Sequence, residues 1–341
     1  MRVLIVKLSS MGDLVHTLPA LTDAAANIPG IEFDWVSDEI FADIPVMHPA
    51  VKHVIKCAHR RWKKNKWEAM KNGELKTFYR QLRERPYDLI IDAQGNLKSA
   101  AITRLARGLR CGMDSNSVRE WGAQFAYKRR FFIAGTHDLH VIMRTRLLFA
   151  QALGYTMPET EPEHGINLET LPKLSIELPS NYLVFLHSTT WDSKHWPERY
   201  WLELVKLATQ AGYHVVLPWG GNAERERAER LAQVASGTTV LPRLRIAEQA
   251  RILLGASGVV GLDTGLAHLA AALPVKGIHL YGPTDPNLLG VFNENQKYLS
   301  AEYPCAPCYL RECKFGPEAE CFVKNLQPAT VWAAMVEHLG S

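Results

Sequence analysis

Short runs of branched apolar residues recur along the chain. Each is followed by a small-residue or polar loop, then by apolar positions at helical spacing. The first run is Arg2–Val6 (RVLIV), its loop is Lys7–Gly12 (KLSSMG), and Leu14, Leu18 and Leu21 then share one face over Leu14–Asn27. Glu32–Ser37 predicts a second strand. Tyr87–Asp92 predicts a third, with a polar turn at Ala93–Gly95 and a helix from Leu97. The spacing over Arg144–Leu153 predicts a helix that closes this first half.

Tyr155–Ser180 breaks the rhythm with Pro158, Pro162, Pro172, Pro179 and several acidic residues, the composition of a linker. A second series follows. Strands are expected at Tyr182–His187, Tyr213–Pro218, Gly258–Leu262 and Lys276–Tyr281, and helices at Trp201–Gln210, Glu224–Ala235, Leu266–Ala272 and Pro328–Leu339. Two βα series predict an α/β chain of two Rossmann-like, doubly wound domains facing across a cleft. The expected boundaries are 1–160, a linker at 161–180, a second domain at 181–327, and a C-terminal helix at 328–341 that packs back on the first domain.

Composition narrows the class. The 341 residues are long enough for two cores, and 47% hydrophobic with 22% charged residues is ordinary for a globular protein. A net charge of +4 does not argue for nucleic acid, and no fold motif for it is present. No apolar run approaches the ~18 residues of a membrane span. Lys7 interrupts the first apolar run too early for a signal peptide, so the expected location is the cytoplasm, where six cysteines stay reduced. There is no G-x-G-x-x-G fingerprint, P-loop or Asp-x-Asp pair.

Candidate chemistry sits at predicted strand ends. Asp13 opens a helix, where it can cap the backbone or act as a general base over a ligand site. Asp263, Thr264 and Gly265 end one strand and begin another helix, whose NH groups attract phosphate; His268 lies one turn on. A capped helix with a buried histidine is the plainer account of the same residues. In His187–Glu198, Thr189 and Thr190 can donate to phosphate and Lys194 can neutralise a departing diphosphate. Glu224 stands at a helix start, placed to bind ribose hydroxyls or simply to favour the helix dipole. Arg60, Arg61, Lys63, Lys64 and Lys66 interleave with Trp62 and Trp67, a pattern suited to an anionic amphiphile or membrane surface as well as to a solvated face. Cys305, Cys308, Cys313 and Cys321 form C-x2-C-x4-C-x7-C, either a tetrathiolate site for a structural zinc or iron or a loop of reduced thiols.

Taken together these stretches resemble the ADP-heptose:lipopolysaccharide heptosyltransferases, glycosyltransferase family 9. The resemblance is carried by VKLSSMGDLVHTLPALTDA, RRW at 60–62, DAQGNLKSA at 92–100, GMDSNSVRE at 112–120, HSTTWDSKHWPE, LPWG, DTGLAHL and YGPTDP. It implies a GT-B architecture and transfer of L-glycero-D-manno-heptose from ADP-heptose to Kdo2-lipid A, with inversion and no required cofactor. Asp13 would be the base. Lys194, Thr189, Thr190 and the 263–265 turn would hold the diphosphate, with Glu224 on the ribose and His268 lining the donor site. Arg60, Arg61, Arg119, His140 and Arg144 would meet the acidic acceptor, at the cytoplasmic face of the inner membrane. The cysteine run departs from the branch that adds the first heptose and resembles the tail of second-heptose and protein heptosyltransferases. It keeps a heptosylated core or a protein acceptor as alternatives, beside a non-catalytic nucleotide-sugar binder.

Overall fold

The computed structural model describes residues 1–290 and 293–340, which form two compact units, Met1–Thr170 and Leu171–Ser341. The division falls inside the proline-rich segment. Ser341, the end of the expected C-terminal helix, lies outside the described residues.

The first unit is a six-stranded parallel sheet: β1 (Arg2–Val6), β2 (Glu32–Asp38), β3 (Val51–Cys57), β4 (Tyr87–Asp92), β5 (Gly108–Met113) and β6 (Arg129–Phe131). Its order is β3-β2-β1-β4-β5-β6, so the winding reverses between β1 and β4. Central β1 is covered on both faces, and Val3–Val6 are fully buried, which is why it reads as an unbroken apolar run. On one face Leu4, Val6, Val36 and Ile90 pack with Phe78 and Leu82 of the helix Glu74–Glu84. On the other, Phe33 meets Phe149 of the helix Val141–Leu153 at a ring separation of 6.3 Å. The predicted single helix Leu14–Asn27 is two helices, Met11–Val15 and Leu18–Asn27. Pro19 lies in the first turn of the second, where its missing NH removes no helical bond, and it cannot continue a helix from upstream.

The second unit repeats the scheme with β7 (Tyr182–Leu186), β8 (His214–Leu217), β9 (Thr238–Val240), β10 (Gly258–Leu262), β11 (Gly277–Tyr281) and β12 (Gln296–Ser300). Its order is β12-β11-β10-β7-β8-β9, again parallel, with the reversal between β7 and β10. Leu183, Phe185, Trp196, Trp201, Leu204, Val260 and Leu262 form its core. The C-terminal helix Pro328–Gly340 contributes Val331 and Met335 to this same core. These two side chains are part of the second unit's core.

In open α/β sheets the loops beyond the carboxyl ends of the two strands flanking the reversal line a ready crevice. In the first unit those loops follow β1 and β4. In the second they follow β7 and β10. Asp13 follows β1, Thr189, Thr190 and Lys194 follow β7, and Asp263, Thr264, Gly265 and His268 follow β10.

Candidate active site

Asp13 follows β1 on the short helix Met11–Val15 and completes a capping box with Ser10. The Ser10 backbone NH and hydroxyl each donate to Oδ2 at 2.8 Å. Burial alone would raise this carboxyl. The charge of Lys7, the two Ser10 bonds and more distant Arg119 outweigh it and hold the pKa below the ordinary value. Asp13 is thus a capping residue and an ionised, partly accessible carboxylate at once.

Lys7 is a site residue that its sequence context hides. Its ammonium is buried, donates to the Ala93 carbonyl at 2.8 Å and faces Asp13 and Asp92. Burial lowers its pKa while the two carboxylates oppose that fall. Asp92, at the end of β4, accepts from the NH groups of Gln94 and Gly95, both at 2.9 Å, and from the Tyr127 hydroxyl at 2.7 Å. Its burial nonetheless raises its pKa.

The expected acceptor residues divide into two kinds. Arg119 and Arg144 act electrostatically on Lys7 and so belong to this loop cluster. Arg144 is buried, which lowers its pKa, and its Nη1 has no hydrogen-bond partner among the described residues. His140 caps the helix of Arg144 by accepting from Ile142 NH at 3.2 Å, and stacks edge-on with His16. Arg60 and Arg61 already have acidic partners: Arg60 lies 3.4 Å from Asp38, and Arg61 lies 3.1 Å from Glu39 and 2.8 Å from Glu74. Trp62 is half-buried against Phe78 and donates to Glu74 at 2.8 Å, so it anchors the basic segment. Trp67, 85% exposed, is the tryptophan of this segment that faces water.

In the second unit the residues expected around a diphosphate converge. Lys194, in the tight turn Asp192–Lys194 after β7, places Nζ 2.5 Å from Asp263 Oδ2 at the end of β10. The same oxygen accepts from the Thr284 hydroxyl at 2.7 Å, and Oδ1 faces His268 Nε2 at 3.2 Å. Burial would raise Asp263; His268 and Lys194 overcome it and hold the carboxyl far below the usual range. Thr189 donates to the Asp263 carbonyl at 3.3 Å, and Thr190 is exposed beside it. Thr264 is the N-cap position of the helix Gly265–Ala271 and makes no side-chain cap bond. Glu224 Oε2 accepts from Gly220 NH at 2.6 Å and Gly221 NH at 3.3 Å, the plainer capping role. Thr284 and Trp191, whose ring lies 4.5 Å from Lys194 Nζ, were not singled out in the sequence.

Cys305, Cys308, Cys313 and Cys321 are all free thiols and line a single cavity of about 20 Å³. Among the described residues no three His, Cys, Asp or Glu side chains are already drawn into a metal-ligand set. Among the same residues no helix is long and apolar enough to cross a membrane.

Known proteins resemble this chain in sequence and in fold. The family Glycosyltransferase family 9 (heptosyltransferase) matches residues 75–319. Lipopolysaccharide heptosyltransferase 1 of Pseudomonas aeruginosa is 51% identical over 321 residues, 94% of this chain and 89% of that protein. The Escherichia coli K12 protein of the same name is 50% identical over 302 residues, 88% of this chain and 94% of its own. The solved structure of E. coli heptosyltransferase WaaC with ADP superposes with a TM-score of 0.86 at 45% identity, covering 99% of this chain and 100% of that one. WaaC with ADP-2-deoxy-2-fluoro heptose gives 0.83 at the same identity, covering 99% of each. With the family match, about 50% identity over most of the chain and a superposition over its whole length, this chain belongs to glycosyltransferase family 9, the heptosyltransferases.

Proposed function

We propose that the chain transfers L-glycero-D-manno-heptose from ADP-heptose to Kdo2-lipid A, inverting the anomeric centre without a divalent ion. The observation that carries this reading is the Asp13 carboxylate, kept ionised with Oδ2 tied to Ser10 and Oδ1 left to accept a proton. Asp13 takes the proton of the attacking sugar hydroxyl. A single displacement by that hydroxyl inverts the anomeric carbon. Lys194 and the backbone NH groups at Thr264–Leu266 meet the charge on departing ADP, with Thr189 and Thr190 on the phosphates, His268 lining the site and Glu224 on the ribose. The relatives named above support donor and acceptor alike.

An assay of purified chain with ADP-heptose and Kdo2-lipid A, read by mass spectrometry, tests the activity. Asp13→Ala should cut turnover by about 100- to 10,000-fold, the range of a lost general base. Its ADP affinity should be unchanged. Near-normal turnover in the variant removes the base role, and no product from folded wild-type chain removes the reaction.

Arg119, His140 and Arg144, with Arg60 and Arg61 once they exchange their carboxylate partners, suit the acidic sugars of the acceptor. The basic segment with exposed Trp67 suits peripheral contact with the anionic cytoplasmic face of the inner membrane. Sedimentation with anionic but not neutral vesicles is the expected result, and no sedimentation with either would exclude that contact. The cysteine loop favours a second acceptor, a heptosylated core or a protein, and a panel of such acceptors separates it from the first. The spacing of the four thiols, which line one cavity, supports one structural zinc or iron, and binding would have to draw the sulfurs together around it. Four thiolates complete a tetrahedral shell and leave no position for substrate, so the ion takes no part in transfer.

A further inference from the structure

Lys194 cannot neutralise a diphosphate by itself, because its charge is already matched. Its ammonium lies 2.5 Å from Asp263, an ionised carboxylate, so the pair is neutral. A leaving nucleoside diphosphate needs further positive charge at that place. Arg227 does not provide it, since its guanidinium lies 2.6 Å from His195 Nδ1 and 3.4 Å from Glu198.

A further cation beside Lys194 is carried by the cysteine loop. The Arg311 guanidinium carbon lies 5.6 Å from the centre of the Trp191 ring, the same ring that Lys194 Nζ approaches at 4.5 Å. Among the described residues no carboxylate pairs with Arg311, and its side chain is exposed. Its backbone is fixed to the lysine's turn. Ser193 NH donates to the Arg311 carbonyl at 3.0 Å, and the Ser193 hydroxyl to the Leu310 carbonyl at 2.5 Å. Tyr309 NH donates to the Pro283 carbonyl at 2.8 Å, one residue from the Thr284 that bonds Asp263. The loop is therefore tied to both segments that build the Lys194–Asp263 pair. A guanidinium stacked on indole keeps its NH edge free, and that edge matches two phosphate oxygens.

We propose that Arg311 binds the diphosphate of the nucleotide-sugar donor, with Trp191 as a shelf shared with Lys194. This rests on the reading of the second unit as the donor site and adds a residue to it. It also links the cysteine loop to donor binding, because whatever folds that loop sets the position of Arg311.

The test is calorimetric titration of the full chain, wild type and Arg311→Gln, with ADP and with adenosine. Arg311 is exposed and its side chain makes no hydrogen bond among the described residues, so the variant should fold. ADP affinity should fall by about tenfold or more, the scale of a lost charge-assisted phosphate contact, while adenosine affinity stays the same. Arg311→Lys should recover part of the ADP affinity. Unchanged ADP affinity in Arg311→Gln overturns the inference while leaving the donor site standing. An equal loss for adenosine and ADP also overturns it, since that marks a structural role. A wild-type chain that does not bind ADP removes the donor reading, and this inference with it.

Discussion

Both hydrogen bonds from Ser10 land on one oxygen of Asp13, with the backbone NH and the hydroxyl each 2.8 Å from Oδ2. The pair fixes the plane of the carboxylate and engages Oδ2 alone. It also stabilises the charged form, which lowers the pKa.

Ser10→Ala tests this relationship. As the proposed base, Asp13 works only when ionised, so activity should fall on the acid side as pH drops through its pKa. Removing one donor raises that pKa and moves the acid limb of kcat/KM to higher pH, by about half a unit to one unit for a partly accessible carboxylate. The retained backbone bond should hold the loss at neutral pH to about threefold or less. A profile superimposable on wild type would mean that the hydroxyl does not tune the base.

Asp13 was legible as a residue and its setting was not. The fully buried runs of β1, β7 and β10 mark parallel central strands, and from them follow the strand ends that carry Asp13, Lys194 and Asp263. Edge strands are harder. β3 (VKHVIKC) and β12 (QKYLS) mix charge into the run because one side meets water, and β9 spans only Thr238–Val240. The ionisation of Asp13 depends on Lys7, which reads in sequence as an interruption of an apolar run but is buried in the fold. The meeting of Trp191 with Arg311 depends on a loop folding back across the unit, and no local pattern encodes that. Glu224 shows the opposite case. Its helix-start position is plain in the sequence, and capping bonds account for one of its oxygens.

Asp263 ties β10 to Lys194, Thr284 and His268, so its loss should be felt in stability as well as in donor binding. Its folded pKa lies below its unfolded value. The stability this contributes is complete above the ordinary carboxylate range, and is lost as pH falls from there through the folded pKa. Asp263→Asn leaves Lys194 without its counter-charge and should cost about 3–5 kcal/mol at neutral pH, as when one partner of a buried pair is removed. The difference from wild type should shrink in acid. The double variant Asp263→Asn/Lys194→Met should recover part of the loss, because no unpaired charge then remains. Denaturant melts at several pH values provide the measurement, and a cost that does not depend on pH would show that packing, not charge, makes Asp263 structural.

The four thiols make the last prediction. A cavity of about 20 Å³ lined by Cys305, Cys308, Cys313 and Cys321 has room for one ion, and four thiolates around it would close the 305–321 loop at both ends. Cys321 is buried. Burial pushes its thiol up to about 11, and the neighbouring cysteines add to the rise, so binding an ion must release a proton there. Chain purified with zinc or ferrous iron should carry close to one ion per chain by elemental analysis, falling sharply in Cys308→Ser. Uptake should weaken steeply as pH drops, because protons compete for the sulfurs. Removing the ion with a chelator should lower ADP affinity by loosening the backbone that carries Arg311, yet leave the melting of the first unit unchanged. Metal-free chain with four titratable thiols and full ADP affinity would show instead that packing of Tyr303, Leu310 and Phe315 around the cavity is enough to hold the loop.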